Sequence, residues 1–155
     1  MKRSLRDSAL IAEIVGAVAV VISLIYVGVS VNQNTRALMV SNHQALVAMD
    51  QEKNSWLRDE QFAEIFEIAS DDIGRLTPAQ ARQYRTFEAD TFNAWEFAFI
   101  THNDGMMDDN IWEGWDGFYR HRMQGKGPQW FWRTSKDTYS SAFRSYVDSV
   151  LQSNR

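Results

Sequence analysis

The sequence predicts an all-α protein in which an N-terminal transmembrane helix continues into a stalk helix and a small helical bundle follows. Three observations lead there. Residues 14–31 form an unbroken uncharged run rich in Val, Ile, Leu and Ala. Beyond it, apolar residues recur at helical spacing between segments marked by proline, glycine and capping residues. No stretch keeps the two-residue alternation of a strand for more than a few positions. The division read from this pattern is a basic tip at residues 1–7, a transmembrane helix at 8–31 and a helical extramembrane domain at 32–155. The roughly 120 residues outside the span suffice for one modest core.

An α-helix rises about 1.5 Å per residue, so about 20 residues cross a hydrocarbon layer of roughly 30 Å. The 18 uncharged residues from Ile14 to Val31 reach that length once Ala9, Leu10, Ile11 and Ala12 are added, with Glu13 one turn inside the end. Tyr26 falls near the far interface, and Asn32-Gln33-Asn34 marks the exit into water. Two other readings compete with a retained anchor. A cleaved signal peptide has a shorter apolar region, about 7–15 residues, and a small-residue cleavage site that is not convincing here. A buried helix of a soluble core needs a larger protein around an all-round apolar segment. Lys2, Arg3 and Arg6 precede the span, whereas Arg36 is alone in the twenty residues after it. That asymmetry predicts a cytoplasmic N-terminus, with the domain in the periplasm or outside.

Ala12, Gly16, Ala19, Ser23 and Ser30 recur along one face of this helix. Small residues let a second helix approach closely, because lipid offers no hydrophobic drive and packing must supply the contact. Glu13 either snorkels to the interface or faces a polar partner on that helix. The expected membrane contact is therefore Ala12, Glu13, Gly16, Ala19 and Ser23.

Past Asn34, nothing breaks the helix before Leu57, and Leu38, Ala45, Leu46, Met49, Lys53 and Trp56 approximate one face. Asp59 reads as the N-cap of a short helix carrying Phe62, Ile65, Phe66 and Ala69, ended by Ser70-Asp71-Asp72 and Gly74. Thr77-Pro78-Ala79-Gln80 is a capping box with proline at the first helical position. Its helix runs to about His102, with Tyr84, Phe87, Thr91, Trp95 and Phe99 on one side and Phe92 and Phe97 on others, as a central helix requires. Asn103-Asp104-Gly105 stops it. Asp108 or Asp109 caps the next, which carries Ile111, Trp112, Trp115, Phe118, Tyr119 and Met123. Gly125-Lys126-Gly127-Pro128 reads as a break before a short Trp130-Phe131-Trp132 helix. Ser140 opens the last helix, with Phe143, Tyr146, Val147, Val150 and Leu151. The total is five or six helices with short connections.

The stretch Ala12-Glu-Ile-Val-Gly-Ala-Val-Ala-Val-Val-Ile-Ser-Leu-Ile-Tyr-Val-Gly-Val, running on to Gln33-Asn-Thr-Arg-Ala37, is more particular than generic hydrophobicity. It resembles the start of a widespread group of small uncharacterised bacterial single-pass membrane proteins. The likeness continues weakly through Leu76-Thr-Pro-Ala, Asp104-Gly105, Trp112-Glu-Gly-Trp115, and from Trp130-Phe-Trp to Phe143-Arg-Ser-Tyr-Val-Asp148. Ser30 and Asn32 stand where relatives often carry Gln and Arg, so the resemblance does not bear on orientation. It implies an anchor plus a helical domain and supplies no activity.

Composition excludes several chemistries. The chain has no cysteine, hence no disulfide, thiolate zinc site, iron–sulfur cluster or cysteine nucleophile. Mean hydropathy is −0.40 despite the apolar run, so the remainder is distinctly polar. From residue 32 onward, 13 Lys and Arg oppose 18 Asp and Glu, a net −5 that repels nucleic acid. His43, His102 and His121 fall in no metal-binding spacing, and no metal or other cofactor is expected. An EF-hand loop with Gly105 sixth would need acids where Ile100 and Ile111 stand, so Asp104 to Asn110 reads as a helix stop and a cap. Glu64 with Glu67 and Glu88 with Asp90 read as solvated helix faces. No serine sits in a nucleophile elbow, and no glycine-rich loop cradles phosphate. No catalytic residue is assigned.

Aromatic residues number 20, with six tryptophans, and most lie between Trp95 and Tyr146. Core packing absorbs many of them. Trp112, Trp115, Trp130 and Trp132 are the expected partner surface, where exposed indoles act as anchors. The function expected is a non-enzymatic, membrane-anchored interaction protein, an accessory or assembly subunit or a homo-oligomer. Its partners are membrane lipids and other membrane subunits or copies of itself. A membrane-tethered ligand-binding or sensory module is the alternative, and it requires an apolar cavity near Trp95, Trp112 and Trp130.

Overall fold

The structure, a computed structural model, describes residues 2–153, with side chains described from Leu10 onward; the charged side chains of the basic tip lie outside that range. The described residues form six α-helices and no strand: α1 (Lys2–Trp56), α2 (Glu60–Asp71), α3 (Pro78–Asn103), α4 (Asp109–Arg122), α5 (Lys126–Ser135) and α6 (Ser141–Ser153). Turns of 3-10 helix at Ile73–Arg75 and Lys136–Thr138 precede α3 and α6. The chain divides into two compact units, Met1–Leu38 and Met39–Arg155.

The first unit is helical throughout its described length. Every side chain from Leu10 to Val29 is exposed. α1 is the one helix among the described residues long and apolar enough to cross a membrane, and that stretch is 0% buried by the rest of the chain. With neither proline nor glycine between Val29 and Leu57, the helix continues without a break, as the sequence predicts.

The second unit is a bundle organised on α3. The Thr77 hydroxyl accepts from Gln80 N at 3.3 Å while Gln80 Oε1 accepts from Thr77 N at 2.9 Å, and Pro78 fills the first helical position. Tyr84 and Phe87 pack with Phe62, Ile65 and Ala69 of α2 in one core cluster. Phe92, Trp95 and Ala98 pack in a second with Tyr119 of α4, Trp132 of α5 and Phe143 of α6. α3 stops in a Schellman arrangement. Gly105 takes φ 69°, Met106 N donates to Thr101 O at 2.8 Å, and Gly105 N donates to His102 O at 2.9 Å. Asp59 and Asp108 cap α2 and α4 through Phe62 N and Asn110 N, each at 2.9 Å.

Two details differ from expectation. Gly125-Lys126-Gly127-Pro128 ends α4 but also begins α5: Gly125 is the N-cap, and Pro128 lies in the first turn, where its missing N–H costs nothing. Gly127 is required there by close approach, since a Cβ would stand 2.0 Å from Tyr84 Oη. On α1, Leu38 and Met49 are exposed, and the fully buried residues are Leu46 and Lys53, two helical turns apart.

Gly127→Ala should lower stability by about 1–3 kcal/mol, because Tyr84 is enclosed and must shift. Gly114→Ala and Gly117→Ala, mid-helix with nothing within 4 Å of an added Cβ, should each raise it by about 0.5–1 kcal/mol. Thermal melts of the full chain in detergent, followed by circular dichroism, check both signs.

Candidate functional site

The five residues expected to contact another membrane helix all lie on α1 and are exposed. Their spacing of three and four keeps Ala12, Gly16, Ala19 and Ser23 on one face, with Glu13 beside it. Nothing lies within 4 Å of a Cβ placed on Gly16, so the face is open.

The four tryptophans separate. Trp132 is 1% exposed, stacks on Phe92 at 5.2 Å and donates from Nε1 to Asp148 Oδ1 at 2.7 Å. It belongs to the core and is withdrawn from the partner surface, because the inward stripe of α5 takes Phe131 and Trp132 together. Trp112, Trp115 and Trp130 are half-buried. Trp112 stacks on His102 at 4.9 Å, Trp115 lies 6.1 Å from Tyr119, and Trp130 packs on Tyr84 with the Arg85 guanidinium 4.7 Å above it. Trp130 shares no ring contact with Trp112 or Trp115, so the four do not form one patch.

A buried charged cluster takes the place of a single aromatic surface. Glu88, expected on a solvated face with Asp90, is 0% exposed; Asp90 is at the surface. Its position explains this. Glu88 is four residues after Tyr84 and four before Phe92, on the inward stripe of α3. Arg122 of α4 reaches it, Nη2 to Oε1 at 2.8 Å, with its guanidinium 5.5 Å from the Phe87 ring centroid. Lys53 of α1 is 3% exposed, lies over the Phe118 ring at 5.1 Å, and has Nζ 2.7 Å from Asp50 Oδ1 without hydrogen-bonding geometry. Glu88 Oε2, Arg122 Nε, Lys53 Nζ and the Tyr119 hydroxyl all lack hydrogen-bond partners. Burial pushes the Glu88 carboxyl above its ordinary range, against the pull of Arg122, Tyr84 and Lys53. Burial likewise pushes the Lys53 ammonium below its ordinary range, against Asp50.

Two other carboxylates are better satisfied: Asp116, which is buried, and Asp148, which is partly exposed. Asp116 accepts from Trp95 Nε1 at 3.2 Å, from Arg120 Nε at 2.5 Å and from the Tyr146 hydroxyl, tying α3, α4 and α6 together. Asp148 accepts from Trp132 and from Lys136 Nζ at 2.9 Å. Partial burial pulls the Asp148 carboxyl up, but these two hydrogen bonds outweigh it and hold the group below its ordinary range. His102 Nε2 meets Asp109 Oδ1 at 3.1 Å, with Asp109 96% exposed, so the pair stands in solvent rather than in a cleft. Among the described residues no three histidines or carboxylates converge.

The free volume is at the surface. Beside Trp95 the core holds a void of about 10 Å³, at the lower limit for one water molecule. An open groove of about 460 Å³ runs between His43 and Asp50 of α1 and Ile111, Gly114, Trp115 and Phe118 of α4. A second, of about 220 Å³, lies between Met49, Glu52 and Lys53 of α1 and Asp90 and Asn93 of α3.

At neutral pH, Arg122→Met should destabilise the bundle by about 3–5 kcal/mol, because it strands a buried carboxylate. Glu88→Leu combined with Arg122→Met should restore stability to within about 1 kcal/mol of the parent chain. Denaturant titration of the two single variants and the double variant reads the coupling, and simple additivity would show that they do not act as a pair. Compared with protein-family models, with curated proteins and with solved structures, the chain matches none.

Proposed function

We propose that this chain is a non-enzymatic, membrane-anchored interaction protein, an accessory or assembly subunit of a membrane complex or a homo-oligomer. The observation that carries the reading is the complete exposure of the apolar side chains from Leu10 to Val29. Fully burying a Val, Leu or Ile side chain is worth about 1.5–3 kcal/mol, and soluble monomers do not leave so long an apolar surface in water. Lipid covers it. The same medium accounts for the conformation, since a lone segment in hydrocarbon satisfies its backbone groups only as a helix.

The orientation that fits the flanking charges places the N-terminus in the cytoplasm of a bacterium and the bundle in the periplasm. Within the membrane, the open Ala12, Gly16, Ala19 and Ser23 face, with Glu13 as a polar contact, suits a second helix from another subunit or another copy. Outside it, the separate half-exposed indoles of Trp112, Trp115 and Trp130 are anchors of the kind that partners use. The saturation of Asp116 and Asp148 by structural partners supports a non-catalytic reading. A second reading, a membrane-tethered sensory or ligand-binding module, loses the apolar cavity it requires, since beside Trp95 the core holds only about 10 Å³.

Alkaline carbonate should leave the chain in the membrane pellet, and recovery in the supernatant would remove the anchor. Gly16→Leu with Ala19→Leu should keep it there but reduce crosslinked species in native membranes severalfold. An unchanged crosslinking pattern would discard this face as the contact.

A further inference from the structure

The geometry points to residues 39–56 of α1 as a releasable strap, docked on α3 and α4 along a narrow ridge and able to lift while α2 to α6 stay folded. Only Leu46 and Lys53 of this segment are fully buried. Leu46 is also the one α1 residue among the buried members of either core cluster, so the cores of α2 to α6 close largely without α1. Grooves of about 460 and 220 Å³ flank the ridge, on the α4 side and the α3 side. Packed helix interfaces ordinarily have the density of a protein interior, and these edges do not.

The polar contacts of the ridge are poor for an element meant to stay down. Asn42 Nδ2 donates to Met106 O at 3.2 Å. His43 Nδ1 is enclosed without a hydrogen-bond partner and Lys53 Nζ meets only Asp50 of its own helix, at 2.7 Å, so water reaching them on lifting would add bonds that docking does not supply. Lys53 also gains little from its charged neighbours. Asp50 belongs to its own helix, Arg122 of α4 repels it, and Glu88 of α3 is already engaged by Arg122. Glu52 and Asp90 line the groove on the α3 side, and Tyr119 of α4 lies under Lys53 Nζ at 5.8 Å. Because burial lowers the proton affinity of Lys53, the docked form binds fewer protons than the lifted form below the ordinary lysine value. Raising the pH through that window therefore tightens docking. At the far end the strap is held by Trp56, whose ring meets Phe62 edge-on at 5.3 Å, next to the turn at Leu57 to Asp59. That turn is where the segment hinges.

The chain has no native cysteine, so an introduced thiol reports lifting directly. In the full chain in mild detergent, the thiol of Leu46→Cys should react with a maleimide about 100-fold faster than that of Ala98→Cys, at an equally enclosed site on α3. Adding Lys53→Met, which keeps the apolar stem and removes the buried charge, should slow labelling at position 46 by about tenfold or more without changing position 98. Equal labelling at 46 and 98, or faster labelling with Lys53→Met, would overturn the strap. Should Leu46→Cys fail to fold by circular dichroism, Val47→Cys, half-buried on the same segment, reads the same effect of Lys53→Met by the same criteria.

Discussion

The bundle depends on α3 being covered over most of its circumference. Tyr84, Phe87, Phe92 and Trp95 spread the aromatic surface of Pro78–Asn103 over a wide arc that must be enclosed, and only a strip carrying Arg82, Thr86, Asp90, Asn93 and Ile100 is left in water. α2 closes on one part of it, while α4, α5 and α6 close on another, so each of these helices needs only one apolar stripe. The capping box at Thr77 and the left-handed Gly105 fix where the central helix begins and ends, and with that the register of the helices around it.

An interior built from so many rings offers few backbone acceptors to polar side chains, and the charges in or beside it show two responses. Asp116 and Asp148 recruit indole, phenol and cation donors until their oxygens are satisfied, and they act as cross-links between helices. Glu88, Arg122 and Lys53 are enclosed mainly by rings and remain incompletely bonded. A pair of this second kind adds little net stability yet is costly to break, so it makes the α3–α4 contact specific more than strong. Lys53 extends that cluster to α1 with a charge that weakens the contact it makes.

Much of this was legible in the residues. The caps at Asp59 and Thr77, a cap at Asp108 or Asp109, the stop at Gly105, the central place of α3 and the continuity of α1 follow from local chemistry: which side chains accept from a free N–H, which residue tolerates positive φ, and where no breaker occurs. The site was less legible. Glu88 and Asp90 look alike as acids on a helix, and they part company only because one falls on the inward stripe four residues from Tyr84 and from Phe92. Trp130 and Trp132 are the same residue type two positions apart, yet only Trp132 finds the Asp148 acceptor and the Phe92 face that enclose it.

By itself, then, the sequence determined the class of the protein, the apolar helix long enough for a membrane and the order and limits of most elements, because each depends on a few neighbouring residues or on a mean property of a run. Tertiary structure alone decided which of several similar charged and aromatic side chains would be buried, which of their polar atoms would find partners, and that α1 would meet the bundle on a ridge between two grooves. Those outcomes depend on distances between helices far apart in the chain, set by the volumes of all the rings packed between them.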